Sequence, residues 1–200
     1  MVKYIRRSTG SMKFVEPIRN LNKISSMKKI LFAQSDRNYL LFTLGINSPY
    51  RISDLIRVQF KHVLDPKNSV RSHLVLNEQK TGKENKVALS KGVKKAIEAY
   101  ADRYYEGDPE TYLFRSRKGT NQPISRVQAW TIISDAAKEL GLENIGTHSL
   151  RKTFGYHQIK RGTNITLLMK MFNHSSESVT LRYIGITQDD MDAAVQALDL

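Results

Sequence analysis

Apolar residues recur at helical spacing along most of the chain. In LNKISSMKKILFA (21–33) they favour one face of a helix, and RNYLLFTLGI (37–46) is apolar enough to predict a buried helix. Ser35 can cap this second helix, because a short polar side chain accepts hydrogen bonds from the free N–H groups of a first turn. Pro49 ends the helix, and RISDLIRVQF (51–60) begins another short one.

The pattern changes to strands in the middle of the chain. HLVLNEQ (73–79) and NKVALS (85–90) are short runs with β propensity, and a polar link (80–84) separates them. Gly82 in that link can supply the positive φ that a tight reversal needs. The sequence therefore predicts a β-hairpin.

Helical patterns return after the hairpin. We expect a helix over 91–105, a short strand at YLF (112–114), and a helix over 126–140 that Ser125 caps. From Thr147 onward the pattern predicts only short helices. The predicted fold class is mainly α with one small antiparallel β-sheet, an α+β domain.

The chain carries a large positive charge. Its 200 residues contain 32 Lys and Arg against 19 Asp and Glu, which gives a net charge of +13. Such a surplus indicates a polyanionic partner, because each neutralised phosphate releases condensed counterions. Binding to a ribosome, an anionic membrane surface or a simple gain in solubility would also account for it.

The charge is distributed unevenly. Residues 1–30 have a net charge of +7, whereas residues 185–200 contain four Asp and no Lys or Arg. We expect residues 1–34 to form a basic arm or linker remnant with the first helix, and 35–186 to form a catalytic domain. Residues 187–200 are expected to form an acidic tail helix that packs on protein, either on its own core or on a neighbouring protomer.

Composition excludes several classes of site. Cysteine is absent, so disulfides, thiolate metal sites and a cysteine nucleophile are excluded. No apolar run reaches the roughly 18 residues that a membrane span needs, so we expect no membrane partner. The expected location is the cytoplasm, in association with the nucleoid.

Candidate chemistry comes from residues scattered along the chain. His148 and Arg151 are three residues apart on a predicted helical turn and can reach one phosphate. His174 and Tyr183 follow downstream. Taken singly, these residues have simpler explanations as a surface helix start, a helix cap and a core aromatic residue.

Three upstream residues complete the pattern. Arg51 and Asp54 stand at the start of a short helix, where a local ion pair would explain them, and Lys80 lies in the hairpin link, where it could be a solvated turn residue. Together, in this order and with the neighbours THSLRKTF, NHSS and TLRYI, the candidate residues resemble the tyrosine recombinase (phage integrase) family. The resemblance extends from about Tyr39 to Tyr183.

Two positions depart from the family pattern. Pro49-Tyr50 replaces the usual glycine and aliphatic residue before the first arginine, and Asn173 replaces the usual glycine before the late histidine. Asn adopts the left-handed backbone conformation more readily than most residues, so the second change is easily accommodated. Neither departure touches a reacting group.

The resemblance implies a site-specific DNA recombinase, an enzyme that cuts and rejoins DNA strands, and it implies a role for each residue. Tyr183 would be the nucleophile that forms a 3′-phosphotyrosine, Lys80 the general acid, and His148 the base or proton relay. His174 would donate a hydrogen bond to the phosphate, and Asp54 would hold Arg51 or His148 in place. Two arginines, Arg51 and Arg151, would clamp the non-bridging oxygens, so we expect no metal, no other cofactor and no ATP.

The implied partners are double-stranded DNA and further copies of the chain, as a tetramer in the synaptic complex, with accessory DNA-bending proteins as a further class. The resemblance also implies that the chain comes from a phage or another mobile element. Further phosphate contacts are expected from a set of basic residues: Lys83, Lys86, Arg126, Lys152 and Arg182.

Three alternative functions are open. A type IB topoisomerase would use the same chemistry, a catalytically silent regulator would only bind DNA, and a metal-dependent nuclease would be sensitive to EDTA. The short stretch before the core is compatible with a naturally short family member or with a catalytic fragment.

Overall fold

Helices account for most of the part of the chain that the structure describes. The structure is a computed structural model, and it describes residues 15–79 and 82–198. Residues 1–14 of the expected basic arm lie outside this part, as does Lys80. The described helices are α1 (Leu21–Gln34), α2 (Asp36–Ile46), α3 (Ile52–Leu55), α4 (Phe60–Val63), α5 (Lys91–Tyr104), α6 (Arg126–Glu139), α7 (Thr147–Lys160), α8 (Ile165–Phe172), α9 (Glu177–Ile184) and α10 (Gln188–Gln196).

The helices α2 and α6 begin at the predicted N-cap residues, but only one of these residues makes a capping hydrogen bond. Ser125 and Gln128 form a reciprocal capping box at α6, with Gln128 N donating to Ser125 Oγ at 3.1 Å and Ser125 N donating to Gln128 Oε1 at 2.9 Å. Ser35 stands at the N-cap position of α2, but its side chain makes no capping bond to the described first turn. Burial of α2 in the core stabilises that helix instead.

The predicted hairpin is confirmed. Strands β1 (His73–Asn77) and β2 (Glu84–Ala88) pair antiparallel, from His73 opposite Ala88 to Asn77 opposite Glu84. Gly82 has a φ of +67° and donates its N–H to the carbonyl of Glu78 at 2.8 Å. The reversal therefore uses glycine in the conformation that the pattern predicted.

The strand expected at 112–114 was a wrong prediction. Tyr112 makes an isolated bridge with Gln59, while Leu113 N donates to the carbonyl of Val58 at 2.9 Å and Phe114 accepts from Ile124 N at 2.8 Å. The side chains of Leu113 and Phe114 are fully buried. This apolar run is therefore buried like a strand, but its backbone bonds to separate segments and forms no ladder.

Two hydrophobic clusters divide the described core. The larger one surrounds α2 and includes Met27 and Leu31 of α1, so the first helix packs on the core. The smaller one joins α7, α8 and α9 through Phe154, Leu168, Phe172 and Ile184, with Tyr183 at its edge. Because α7 takes part in both regions, it connects the centre of the fold with the helix that carries Tyr183.

A glycine allows α7 to approach α8 and α9 closely. A Cβ atom at Gly155 would lie 2.5 Å from Ile184 Cγ2 and 2.8 Å from Phe172 Cε2. Both neighbours are buried side chains that cannot move aside without opening the cluster. Gly155 thus sets the spacing between the helix that carries Arg151 and the helix that carries Tyr183.

Within the described residues, no helix is both long enough and apolar enough to cross a lipid bilayer.

Candidate active site

Arg151 lies at the centre of the candidate site. It projects from the first turns of α7, is only 4% exposed, and donates from Nη2 to the carbonyl of Phe172 at 2.7 Å. Its guanidinium carbon lies 4.6 Å from the ring centre of Phe172 and 5.6 Å from that of Tyr183. The buried Nε makes no hydrogen bond to any described residue. Arg151 is therefore held on one side by α8 and retains an unused donor.

Tyr183 presents its ring edge-on to two aromatic neighbours. The ring centres of Phe172 and His174 lie 5.6 and 5.0 Å away. The phenolic oxygen is buried and has no hydrogen-bond partner among the described residues. Burial raises the pKa of Tyr183, although the positive charges of Arg151 and Arg51 act in the opposite direction. The phenol is therefore protonated at neutral pH in this structure.

His174 is placed by a left-handed residue at the end of α8. Asn173 has a φ of 54°, which is the conformation expected at this position. The Nδ1 atom of His174 lies 3.1 Å from the hydroxyl of Thr180, which itself lies 3.1 Å from the carbonyl of Ser176. Burial, followed by the charges of Arg151 and Arg51, lowers the pKa of His174 to about 4. The imidazole is thus neutral at pH 7.

His148 lies at the open side of the site. It stands one turn before Arg151 on α7, but its side chain is exposed whereas that of Arg151 is buried. Partial burial, together with the charges of Arg151, Lys152 and Arg51, lowers the pKa of His148. Arg51, Arg126, Trp130 and His148 line an open cleft of about 660 Å³ between α3 and α6.

Arg51 is held by an acid that the sequence analysis missed. Its Nη1 atom donates to Glu78 Oε2 at 2.7 Å, and the carboxylate of Glu78 is 2% exposed. Asp54, which was expected to hold Arg51 or His148, instead accepts a bond from Gln79 N at 3.1 Å. The other oxygen of Asp54 is buried without a partner among the described residues. An acid at the end of an apolar strand run was the available signal for Glu78.

The remaining predicted DNA contacts differ in exposure. Lys83, Lys86, Arg126 and Arg182 are exposed. Lys152 is 6% exposed and its Nζ lies 5.4 Å from the ring centre of Tyr183, so it lies inside the site. Lys80 falls outside the described residues, although the adjacent Gln79 is bonded to Asp54. Across 15–79 and 82–198, no group of three or more His, Cys, Asp or Glu side chains could hold a metal ion.

Comparison with known proteins identifies the family. Residues 17–189 match the phage integrase family. The chain is 45% identical over 183 residues to the probable integrase/recombinase YoeC of Bacillus subtilis, covering 92% of this chain and 96% of that protein. It is 26% identical over 183 residues to the tyrosine recombinase XerA of Pyrococcus horikoshii, covering 91% of this chain and 62% of the relative.

Solved structures with similar folds include a crystal structure of XerA and the catalytic domain of bacteriophage HP1 integrase. The first has a TM-score of 0.75 at 18% identity and covers 94% of this chain and 67% of the other. The second has a TM-score of 0.57 at 16% identity and covers 92% of this chain and 95% of the other. The described part of the chain thus shares the fold of the XerA recombinase and of the HP1 integrase catalytic domain.

The chain belongs to the phage integrase family of tyrosine recombinases. This result confirms the predicted family and, with it, the predicted function of a DNA recombinase. The predicted helical fold with a small antiparallel sheet is also confirmed. The chain spans 96% of the Bacillus relative, but only 62% of XerA from Pyrococcus horikoshii and 60% of XerA from Pyrococcus furiosus.

Proposed function

We propose that this chain cuts double-stranded DNA by attack of Tyr183 on a phosphodiester and rejoins it to a new 5′ end. The observation that carries the proposal is the placement of the Arg151 guanidinium against the rings of Tyr183 and Phe172, with the charge of Arg51 close enough to affect Tyr183. A phosphate bound by the two guanidinium groups would lie near Tyr183, whose buried oxygen must be uncovered to reach it. Preorganised cations of this kind stabilise the charge that develops in the transition state.

The proposed reaction is a transesterification that balances without a cofactor. The Tyr183 oxygen forms a bond to phosphorus, the bond from phosphorus to the 5′ oxygen breaks, and Lys80 gives that oxygen a proton. His148 takes the phenolic proton. The product is a 3′-phosphotyrosine and a free 5′ hydroxyl, and attack by another 5′ hydroxyl reverses the steps without ATP.

The two histidines suit different roles. The lowered pKa of His148 keeps its exposed imidazole neutral at pH 7, so it can accept a proton. The hydroxyl of Thr180 donates its one proton to the carbonyl of Ser176, so its oxygen accepts from Nδ1–H of His174. In the neutral ring Nε2 then carries no proton, and we infer that His174 becomes protonated on DNA binding in order to donate from Nε2 to the phosphate.

The nucleophile must be uncovered before it reacts. The Tyr183 oxygen is buried in the structure, and burial keeps it protonated. We infer that binding of DNA shifts α9 relative to α7 so that this oxygen reaches the phosphate. A phosphate would also supply acceptors for the unused Nε donor of Arg151.

Solved complexes of similar structures contain DNA, which supports DNA as the proposed partner. XerH is described in a post-cleavage complex with palindromic difH DNA, and a Tn1549 transposon integrase in complex with transposon right-end DNA. From the family resemblance we further propose that this chain belongs to a phage or mobile element, acts as a tetramer in the cytoplasm at the nucleoid, and works with DNA-bending proteins. The division into arm, catalytic domain and tail remains a proposal.

The exposed apolar face of the tail helix is the observation that favours assembly between protomers. Met191, Val195 and Leu198 share one face of the tail, and their exposures are 49%, 74% and 67%. A contact within the chain joins Lys160 to Asp190 at 3.0 Å, but it leaves these three apolar side chains exposed. We propose that this face docks on a neighbouring protomer, because association would remove it from water.

A charge on the apolar face of the tail should block assembly. We expect Val195→Asp to retain DNA binding and folding but to lose synapsis, as deletion of residues 187–200 would, because the new carboxylate would be buried in the interface. Gln196→Asp adds the same charge at the adjacent exposed position and is the matched control. Synaptic complexes are measured by native gel and recombination by product formation. Full recombination by Val195→Asp would refute docking through this face.

The proposed function is tested by covalent trapping. A nicked suicide substrate made from the DNA that flanks the gene should give a protein–DNA adduct that survives denaturation, because the cut strand loses its 5′ end and religation fails. EDTA should leave the yield unchanged, since the proposed mechanism uses arginines and lysine. Loss of the adduct in EDTA would indicate a metal-dependent nuclease. Relaxation of supercoiled DNA without partner sites would indicate a topoisomerase.

A further inference from the structure

Glu78 is a buried acid with two engaged oxygens at the edge of the candidate site. It follows β1 directly and is 2% exposed. Its Oε2 accepts from Arg51 Nη1 at 2.7 Å, and its Oε1 accepts from Asn85 Nδ2 at 3.2 Å. A carboxylate so removed from water requires a cationic partner. Arg51 supplies that charge, and a bond between charged groups is among the stronger hydrogen bonds in proteins.

The backbone of Glu78 closes the hairpin. Its N–H donates to the carbonyl of Lys83 at 3.0 Å, and its carbonyl accepts from Gly82 N at 2.8 Å. The link that contains Lys80 therefore begins and ends at residues whose positions depend on Glu78. One residue thus holds the first arginine with its side chain and the hairpin link with its backbone.

A second contact joins the same two segments. Asp54, three residues after Arg51, accepts from Gln79 N at 3.1 Å. The hydroxyl of Tyr50 lies 2.8 Å from the carbonyl of Leu74 and 2.7 Å from that of Asn85, one on each strand. The segment 50–54 therefore makes hydrogen bonds to the hairpin on both sides of the Arg51–Glu78 pair.

We propose that Glu78 is a positioning residue that orients the guanidinium of Arg51 for the scissile phosphate. The inference rests on the proposed role of Arg51. The long side chain of arginine has many rotamers, and the bond to Glu78 restricts them before DNA binds. Because guanidinium is a planar fork, holding Nη1 fixes the plane in which its other N–H donors point.

Glu78→Gln is the first test. It keeps the size of the side chain but removes the charge that holds Arg51. We expect its rate of adduct formation on the suicide substrate to fall about 10–100-fold. This is the range found when residues that orient metal-binding side chains by hydrogen bonds are mutated. DNA affinity should change little, since the exposed cations remain. Glu84→Gln, an exposed acid on the same hairpin, is the matched control and should cleave at the wild-type rate.

A modified phosphate separates positioning of Arg51 from a general loss of structure. A methylphosphonate at the scissile position replaces one charged oxygen by a methyl group. The arginine that faces this methyl group then stabilises the transition state less. For one of the two stereoisomers, the ratio of wild-type to Glu78→Gln rates should fall to about 2-fold or less, within the modest range that weakened polar contacts leave. Partial unfolding, or an effect through Lys80, would slow Glu78→Gln by the same factor on the modified and the unmodified substrate. The ratio of wild-type to variant rates would then be unchanged. An unchanged ratio for both stereoisomers would overturn the proposal.

A double mutant completes the test. If Glu78 acts through Arg51, adding Glu78→Gln to Arg51→Ala should cause no further loss of rate, because coupled residues are not additive. Additive losses would overturn the proposal. If instead Arg51→Ala alone forms adduct at the wild-type rate, the proposed role of Arg51 fails first, and the proposed positioning by Glu78 fails with it. Glu78→Asp, which keeps the charge, should recover part of the rate and serves if the amide variant does not fold.

Discussion

Tyr183→Phe should bind DNA as wild type does and form no covalent adduct. The substitution removes a single oxygen, which has no hydrogen-bond partner among the described residues. The ring keeps its edge contacts with Phe172 and His174 and its place beside the Arg151 guanidinium. Because the change removes a buried, unpaired hydroxyl, we expect the free energy of unfolding to be unchanged or slightly higher.

The measurement separates binding from chemistry. Affinity is measured by gel shift under native conditions, and the adduct by denaturing gel after incubation with the suicide substrate. Tyr156→Phe, another buried tyrosine on the adjacent helix α7, is the control and should form adduct. A covalent species that persists with Tyr183→Phe would assign the nucleophile to another residue.

Local chemistry explains what the sequence predicted well. Gly82 and Asn173 adopt left-handed conformations because the hairpin and the end of α8 require them there, and few other residues tolerate that backbone. The capping box at Ser125 similarly depends on residues three positions apart. Such features involve neighbours in the chain, so a single sequence contains the information needed to find them.

Contacts between distant segments were not predictable in the same way. The pair Arg51–Glu78 joins residues 27 positions apart, and the bond from Arg151 to Phe172 spans 21. Neither follows from periodicity, because each depends on how the hairpin packs on α3 and how α8 packs on α7. Lys152 looked like a surface phosphate contact, but the approach of α9 to α7 at Gly155 places it beside Tyr183.

The burial of the proposed nucleophile, the Tyr183 oxygen, was also not predictable from the sequence. The family pattern identifies Tyr183 but does not indicate whether its oxygen is exposed. Tyr183 packs against the smaller hydrophobic cluster with its oxygen buried, and the resulting loss of hydration raises the pKa of Tyr183. A buried, protonated phenol is a weak nucleophile. We infer that burial keeps Tyr183 from attacking phosphates other than the scissile one.

Arg151→Lys should reduce adduct formation severely although it preserves the charge. Lysine has no planar fork, so it cannot both bond to the carbonyl of Phe172 and present parallel donors to a phosphate. It also loses the flat contact with the ring of Phe172. We expect the rate of cleavage to fall about 10²–10³-fold, the usual cost of removing one donor from a site that stabilises developing negative charge.

Because Arg151 is buried, the experiment must distinguish a loss of catalysis from a loss of stability. Arg161→Lys, at the exposed end of the same helix, is the matched control and should cleave within about 2-fold of wild type, as expected for a surface substitution. Single-turnover rates are compared at a temperature where thermal unfolding shows both variants to be folded. If Arg151→Lys is folded and binds DNA, a near-wild-type rate would show that charge alone suffices. The bidentate clamp would then be the wrong description, and Arg151 would act as a simple point charge beside Tyr183.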